Sequence, residues 1–327
     1  MADIFAVASG NLLSPPILAF LLGGLAGFLR SDLEIPEAIA KGLSIYLMLA
    51  IGLKGGASLA GSDAGLGVLP GLLAAVVLSF ALPYLAFFLL RLSTGLSIVN
   101  AAAVSAHYGS VSIVTFVTAT QFLTGMEIGY EPYIIAMVAL METPAIISGL
   151  MLAREKKESG GAASLFKPEM IREILFNGSI MLLLGGFAIG WASGKDGLDS
   201  VSAFFVDPFQ GVLCLFLLDM GLVAAHRLRA SRSLTPGVIA FGLYMPVIGA
   251  TLGGATGLAI GLSAGGATLL AVLTASASYI AVPAAIRLAL PKADPGIFIP
   301  LSLGVTFPFN VLIGIPLYSA VILALSA

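Results

Sequence analysis

Long apolar stretches interrupted by short charged clusters run the whole length of the chain, and their lengths decide its class. The longest, Ser233 to Ile286, carries 54 consecutive residues without Asp, Glu, Lys or Arg. Crossing the roughly 30 Å hydrocarbon core of a bilayer takes about 20 helical residues. Apolar runs bounded by charges and Gly/Pro punctuation predict ten spans, near 12–29, 38–60, 66–90, 97–123, 132–153, 174–193, 208–225, 236–258, 264–288 and 296–325. The predicted class is an all-α polytopic membrane protein with ten transmembrane helices. A transmembrane barrel would instead show alternating segments of about 10 residues.

Charge placement orients these spans, because cytoplasmic loops accumulate Lys and Arg. With both termini outside, 13 of the 15 basic residues fall on the inner side and only Lys54 and Lys195 on the outer. That asymmetry predicts a multi-pass membrane protein with its N- and C-termini outside the cytoplasm. The opening "MADIFAVASGNLL" lacks the basic n-region of a cleavable signal and reads as mature sequence. At 59% hydrophobic and 10% charged residues, a soluble fold of this length would expose large apolar patches. The single cysteine, Cys214, excludes an internal disulfide.

The longest polar segment, "REKKESGGAASLFKPEMIRE" (154–173), divides the chain into 1–153 with five spans and 174–327 with five more. Four short matches keep their order between the halves. "LLGGLAG" at 21–27 pairs with "LLGGFAI" at 183–189, and "IGLKGGASL" at 51–59 with "MGLVAAHRL" at 220–228. "GSVSI" at 109–113 pairs with "ASASY" at 275–279, and "ETPAIISG" at 142–149 with "TFPFNVLIG" at 306–314. An odd number of spans per half makes these inverted repeats.

Against that background two polar clusters stand out in otherwise apolar spans: "HYGSVSIVT" (107–115) in the fourth and "TASASYIAVPAA" (274–285) in the ninth. A lone Ser or Thr in a membrane helix usually bonds back to its own backbone. A symmetric pair of clusters instead predicts broken helices meeting near the midplane, with free N–H groups for an anion at one end and free carbonyls for a small hard cation at the other. Gly109, Ser110, Ser112, Ala275, Ser276 and Ser278 are the predicted substrate-binding residues. No Lys or Arg lies in either cluster, so the ligand is expected to be a small, weakly held anion.

Ionisable residues inside spans call for a role, since charge in lipid is costly. Glu142, two residues before Pro144, is a candidate for cation coupling or for capping a helix that the proline breaks. Asp219 reads as an interfacial ion-pair partner of His226, Arg227 or Arg229, and Lys54 as snorkelling to the outer surface. Thr306 and Asn310 fall opposite Glu142 by repeat symmetry. No Cys/His metal constellation, Walker loop or dinucleotide fingerprint is present, so neither a transition metal nor a cofactor is expected, and neither a pump nor an enzyme.

At these residues the sequence resembles the sodium-dependent bicarbonate transporters first known from cyanobacteria, the SbtA family. "ASASYIAVPAAIRLALPKADP", "SLGVTFPFNVLIGIPLY", "LFLLDMGLVAA", "LEIPEAIAK" and "YEPYIIAMVALMETPAIISG" carry the likeness. In the fourth span Ile113 and Val114 replace a Gly and a Ser of the family pattern. The resemblance implies a core domain from spans 3–5 and 8–10 moving against a gate domain from spans 1, 2, 6 and 7. It implies a homotrimer, Na+-coupled uptake of bicarbonate by elevator-like alternating access, and a PII-like (SbtB-type) regulatory protein on the cytoplasmic face, with no nucleic acid. Na+ as coupling ion is then expected at Thr115, Ser276, Thr306, Asn310 and Glu142, together with carbonyls near Gly109 and Ala275. The competing readings are a proton-coupled or uncoupled carrier of another small anion, and an anion channel with a continuous polar pore.

Overall fold

The computed structural model describes residues 13–61, 65–153, 178–231 and 233–326. The linker 154–173, with Arg154, Lys156, Lys157, Lys167 and Arg172, lies outside the described residues, as does Arg232. Among the described residues all regular structure is helical. Seven helices are long and apolar enough to cross a membrane. The apolar helix Pro15–Phe28, at 14 residues, rises only about 21 Å by itself, and Ala264–Ala275 is shorter still.

The first half builds α1 (Pro15–Phe28), α2 (Glu37–Ala60), α3 (Leu69–Ser93), α4 (Ile98–Gly109), α5 (Ile113–Gly125), α6 (Ile134–Leu140) and α7 (Glu142–Leu152). The second half builds α8 (Gly178–Ser200), α9 (Ser202–Phe205), α10 (Phe209–Ala230), α11 (Pro236–Ala259), α12 (Ala264–Ala275), α13 (Ala281–Ala289) and α14 (Pro295–Ser326). Helix α10 extends beyond the predicted end of its span, so Arg227 and Arg229 stand in its last turn. Cations there oppose the negative end of the helix dipole. Helix α14 is π-wound over Pro300–Thr306 and Asn310–Gly314. Pro300, Pro308 and Pro316 each lack an N–H, and the missing i→i−4 bonds favour that wider winding.

Small residues decide which helices approach closely. Helix α1 packs along α10 and α2 along α8. A Cβ at Gly23 would strike the Leu218 carbonyl, and one at Gly56 the Phe187 carbonyl. Elsewhere α3 packs on α4 and α7, α11 on α12, and α12 on α14, with α3 and α11 also in contact. Both α3 and α11 carry an internal proline, Pro83 and Pro246.

Two hydrogen-bonded clasps tie the halves together at the starts of α4 and α12. Glu131 accepts from the Ser263 N–H (2.6 Å) and hydroxyl (3.1 Å), and Ser263 in turn caps α12 at Gly266. The Asp294 N–H donates to Asn100 Oδ1 (2.9 Å), one turn after Ser97 caps α4. Each hairpin loop thus grips the first turn of the other half's short helix.

Candidate functional site

The fourth and ninth spans each break at their hydroxyl cluster. Helix α4 stops at Gly109, residues 110–112 run extended, and α5 restarts at Ile113. Helix α12 stops at Ala275, and α13 restarts at Ala281. Gly109 is needed where it stands: a Cβ there would meet the Pro83 ring and the Ser79 carbonyl. The fifth span is interrupted too, between α6 and α7 at Met141, whose carbonyl accepts from the Ser79 hydroxyl. Pro144 lies in the next turn, where its ring is incompatible with the carbonyl four residues earlier.

The two breaks cross and are stitched together. The Ser112 N–H donates to Ser276 Oγ (2.9 Å), and the Ser278 N–H donates to the His107 carbonyl (2.8 Å). His107 Nδ1 lies 2.5 Å from the Ser278 carbonyl. A carbonyl only accepts, so Nδ1 carries the proton, and His107 is a hydrogen-bonded clamp stacked near Phe298. Ser110, Ser112, Ser276 and Ser278 are all buried, at 1%, 4%, 1% and 2% exposure. Ser112 and Ser278 line a small void together with Glu142 and Tyr279. Tyr279 was not singled out from the sequence as a site residue, although it sits inside the hydroxyl cluster.

Several polar atoms at this crossing have no partner. Ser110 Oγ, Thr115 Oγ1, Glu142 Oε2, His107 Nε2 and the Tyr279 hydroxyl are buried without a hydrogen bond. Such groups are rare in folded interiors and mark strain, an ion or a ligand. Ser112 Oγ accepts from the Thr115 N–H (3.2 Å), capping α5. The N–H groups of Ile113 and Val114, the first two of α5, precede the helix ladder and point from its positive end. The Ile113 and Val114 side chains are buried in the core, so their difference from the family pattern leaves these backbone donors in place.

Thr306 and Asn310 do not line the void that holds Glu142. The Thr306 hydroxyl donates to the Gly242 carbonyl (2.8 Å) and lies 2.5 Å from the Tyr108 hydroxyl. Asn310 Nδ2 donates to the Ala275 carbonyl (2.8 Å), while Oδ1 accepts from the Tyr318 hydroxyl (3.0 Å). The Tyr108 relay was not legible from the sequence, since Tyr108 and Thr306 are 198 residues apart, whereas Tyr318 reaches Asn310 eight residues back along α14.

Family comparison then has a site to apply to. The family model of the Na+-dependent bicarbonate transporter superfamily matches residues 15–323, nearly the whole chain. The chain belongs to this superfamily. No curated protein matches it. Membership in a bicarbonate transporter superfamily, together with the apolar helices, makes this a multi-pass membrane transport protein. For such a protein the crossing offers both polarities within one buried region: helix N–H groups for an anion, and a carboxylate and hydroxyl oxygens for a hard cation.

Asp219 is corrected by the structure. It is 5% exposed within α10 and forms no ion pair with Arg227 or Arg229. Arg229 instead donates to the Gly27 carbonyl of α1 (2.9 Å). Lys54 lines an open cavity, and its Nζ sits 4.1 Å from the Phe209 ring centroid.

Proposed function

We propose that the chain takes up bicarbonate coupled to Na+ by alternating access, with both ions held where the two helix breaks cross. The observation that carries this reading is the set of unpaired buried oxygens of Ser110, Thr115 and Glu142 beside the free N-terminus of α5. Bicarbonate would take the N–H groups and serine hydroxyls around Gly109, Ser110, Ser112, Ala275, Ser276 and Ser278. Sodium would take Thr115 and Glu142 with nearby carbonyls. Each ion offsets the other's charge in a low-dielectric site, so their binding is cooperative. Thr306 and Asn310 act by holding α14 and the end of α12 in position.

The packing of α1 along α10 and of α2 along α8 supports a division into two moving parts. Helices α3–α7 and α11–α14 form the core, and α1, α2 and α8–α10 form the gate. Inverted repeats account for the equivalent prolines Pro83 and Pro246, the equivalent caps Ser97 and Ser263, and the reciprocal clasps of Glu131 and Asp294. In this reading ten spans cross a bacterial inner membrane with termini outside, the assembly is a homotrimer, and the protein performs no catalysis. A PII-like protein would engage the cytoplasmic face, where Arg227 and Arg229 are exposed. Its binding would hold one state and lower uptake in proportion to its differential affinity for that state.

Uptake of labelled bicarbonate into proteoliposomes, with Na+ or K+ gradients, tests the transport reading. Saturable uptake that requires Na+ is expected, and equal bicarbonate affinity in Na+ and K+ would overturn the coupling. Pull-down with PII-like proteins across adenine nucleotides tests the regulatory part. Binding should weaken at higher salt and in Arg227→Ala.

A further inference from the structure

A cavity of about 710 Å³ opens between the end of α5 and the α2/α10 pair, well away from the helix breaks in sequence. Its lining includes Lys54, Asp207 and Glu127, and from α5 Thr120, Gln121 and Thr124. A second cavity of about 390 Å³ shares Gln121 with the first and adds Thr118. Thr124, Gln121, Thr118, Thr115 and Ser112 are spaced three apart, so each polar side chain neighbours the next one turn along the helix. Thr124 and Gln121 line the open cavity, Gln121 and Thr118 the second, and Ser112 the void beside Glu142, with Thr115 one turn from each neighbour between them.

The chemistry of this row has a definite sign. Thr124 donates its hydroxyl proton to the Thr120 carbonyl (2.8 Å), Thr120 to Val117 (2.8 Å) and Thr118 to Val114 (2.9 Å). With the protons committed to the helix, these hydroxyls offer lone pairs only. Lone pairs suit a small hard cation and repel an anion. Thr115, the deepest threonine, is 1% exposed and its oxygen has no partner. At the mouth Glu127 and Asp207 supply two carboxylates against the single ammonium of Lys54. That ammonium rests on the Phe209 ring and feels the attraction of Asp207.

We propose that this cavity is an outer collecting site for a small monovalent cation and that the threonine row of α5 is its route to the helix breaks. The proposal rests on the reading above that the end of α5 faces outward and that Na+ is the coupling ion. Lys54 then works against the carboxylates, limiting how strongly the cation is held before it moves inward.

The test reads charge preference in the cavity without requiring transport. Gln121→Cys, placed in a full-length Cys214→Ala background, is labelled from outside with a trimethylammonium and with a sulfonate methanethiosulfonate reagent. The cationic reagent should react faster. Glu127→Gln should lower the cation-to-anion rate ratio on the order of fivefold, and Lys54→Gln should raise it by a similar factor. In parallel, Thr118→Val should raise the Na+ half-saturation of bicarbonate uptake about fivefold at unchanged bicarbonate KM, with Thr118→Ser near wild type. No outside labelling, a preference for the anionic reagent, or a ratio that both charge variants leave unchanged would overturn the route. Should the Gln121→Cys protein show the cation preference while neither it nor wild type shows Na+-dependent bicarbonate uptake, the transport reading fails and the cation-collecting cavity stands.

Discussion

The two helix breaks share a sequence signature but spend their polar groups differently. At the second break the serine and backbone groups are engaged, while the Tyr279 hydroxyl is left without a partner. Ser276 Oγ donates to the Leu273 carbonyl (2.8 Å) and accepts from Ser112, the Ala275 carbonyl accepts from Asn310, and Ser278 is held on both backbone sides by His107. At the first break Ser110 and Thr115 leave oxygens unpaired, and Glu142 adds a third. The second break is thus mainly a brace, and the first presents more of the oxygens a ligand would use.

The largest effect should come from removing the carboxylate at the first break. Glu142→Gln keeps shape but loses the charge that a Na+ would meet, and an interaction of a buried charge is worth at least about 2 kcal/mol. Na+-driven bicarbonate uptake should fall by about 30-fold or more with the protein still assembled in the membrane. Unchanged Na+ half-saturation in this variant would remove the asymmetry between the breaks.

Next in size is a crossed pair that separates binding from bracing. Thr115→Val deletes a hydroxyl that holds nothing, so thermal stability should be unchanged while Na+ half-saturation rises about tenfold. Ser276→Ala deletes two hydrogen bonds and leaves the Ser112 N–H buried and unpaired. It should lower unfolding stability by about 2 kcal/mol. Thermal unfolding in detergent and Na+ titration of uptake, measured on both variants, decide the comparison. The same loss of stability in both would mean that the two breaks are equally structural.

How far the sequence could disclose this arrangement depended on the range of the interactions. Apolar run length is a local signal, and it located most described helices within a few residues, although α8 runs on to Ser200 and α10 to Ala230. The hydroxyl clusters announced the breaks at 110–112 and 276–280, because Ser and Thr can take backbone bonds away from a helix. Repeat symmetry put Thr306 and Asn310 near Glu142, but symmetry cannot tell a ligand from a brace. That distinction depends on Tyr108, whose hydroxyl meets Thr306 only after α4 and α14 have packed, and on Tyr318, eight residues from Asn310 along α14. Asp219 differs for another reason: Arg229 is drawn to the Gly27 carbonyl of α1, a partner 202 residues away that nearness in sequence does not reveal.

The smallest effect is expected where the brace is farthest from the void. Tyr318→Phe removes the donor to Asn310 Oδ1 but leaves Asn310 Nδ2 on the Ala275 carbonyl. One neutral buried bond is lost, and the amide oxygen is left without its donor, a cost of about 1 kcal/mol. Tyr318 is 5% exposed, and Phe fills the same ring volume, so no cavity follows. A braced second break should therefore lose slight thermal stability, with Na+ half-saturation and bicarbonate KM each within about twofold of wild type. A change in Na+ half-saturation comparable to that of Thr115→Val would instead mean that the Ala275 carbonyl is itself a cation ligand tuned by Asn310. The second break would then face the ligand as the first does.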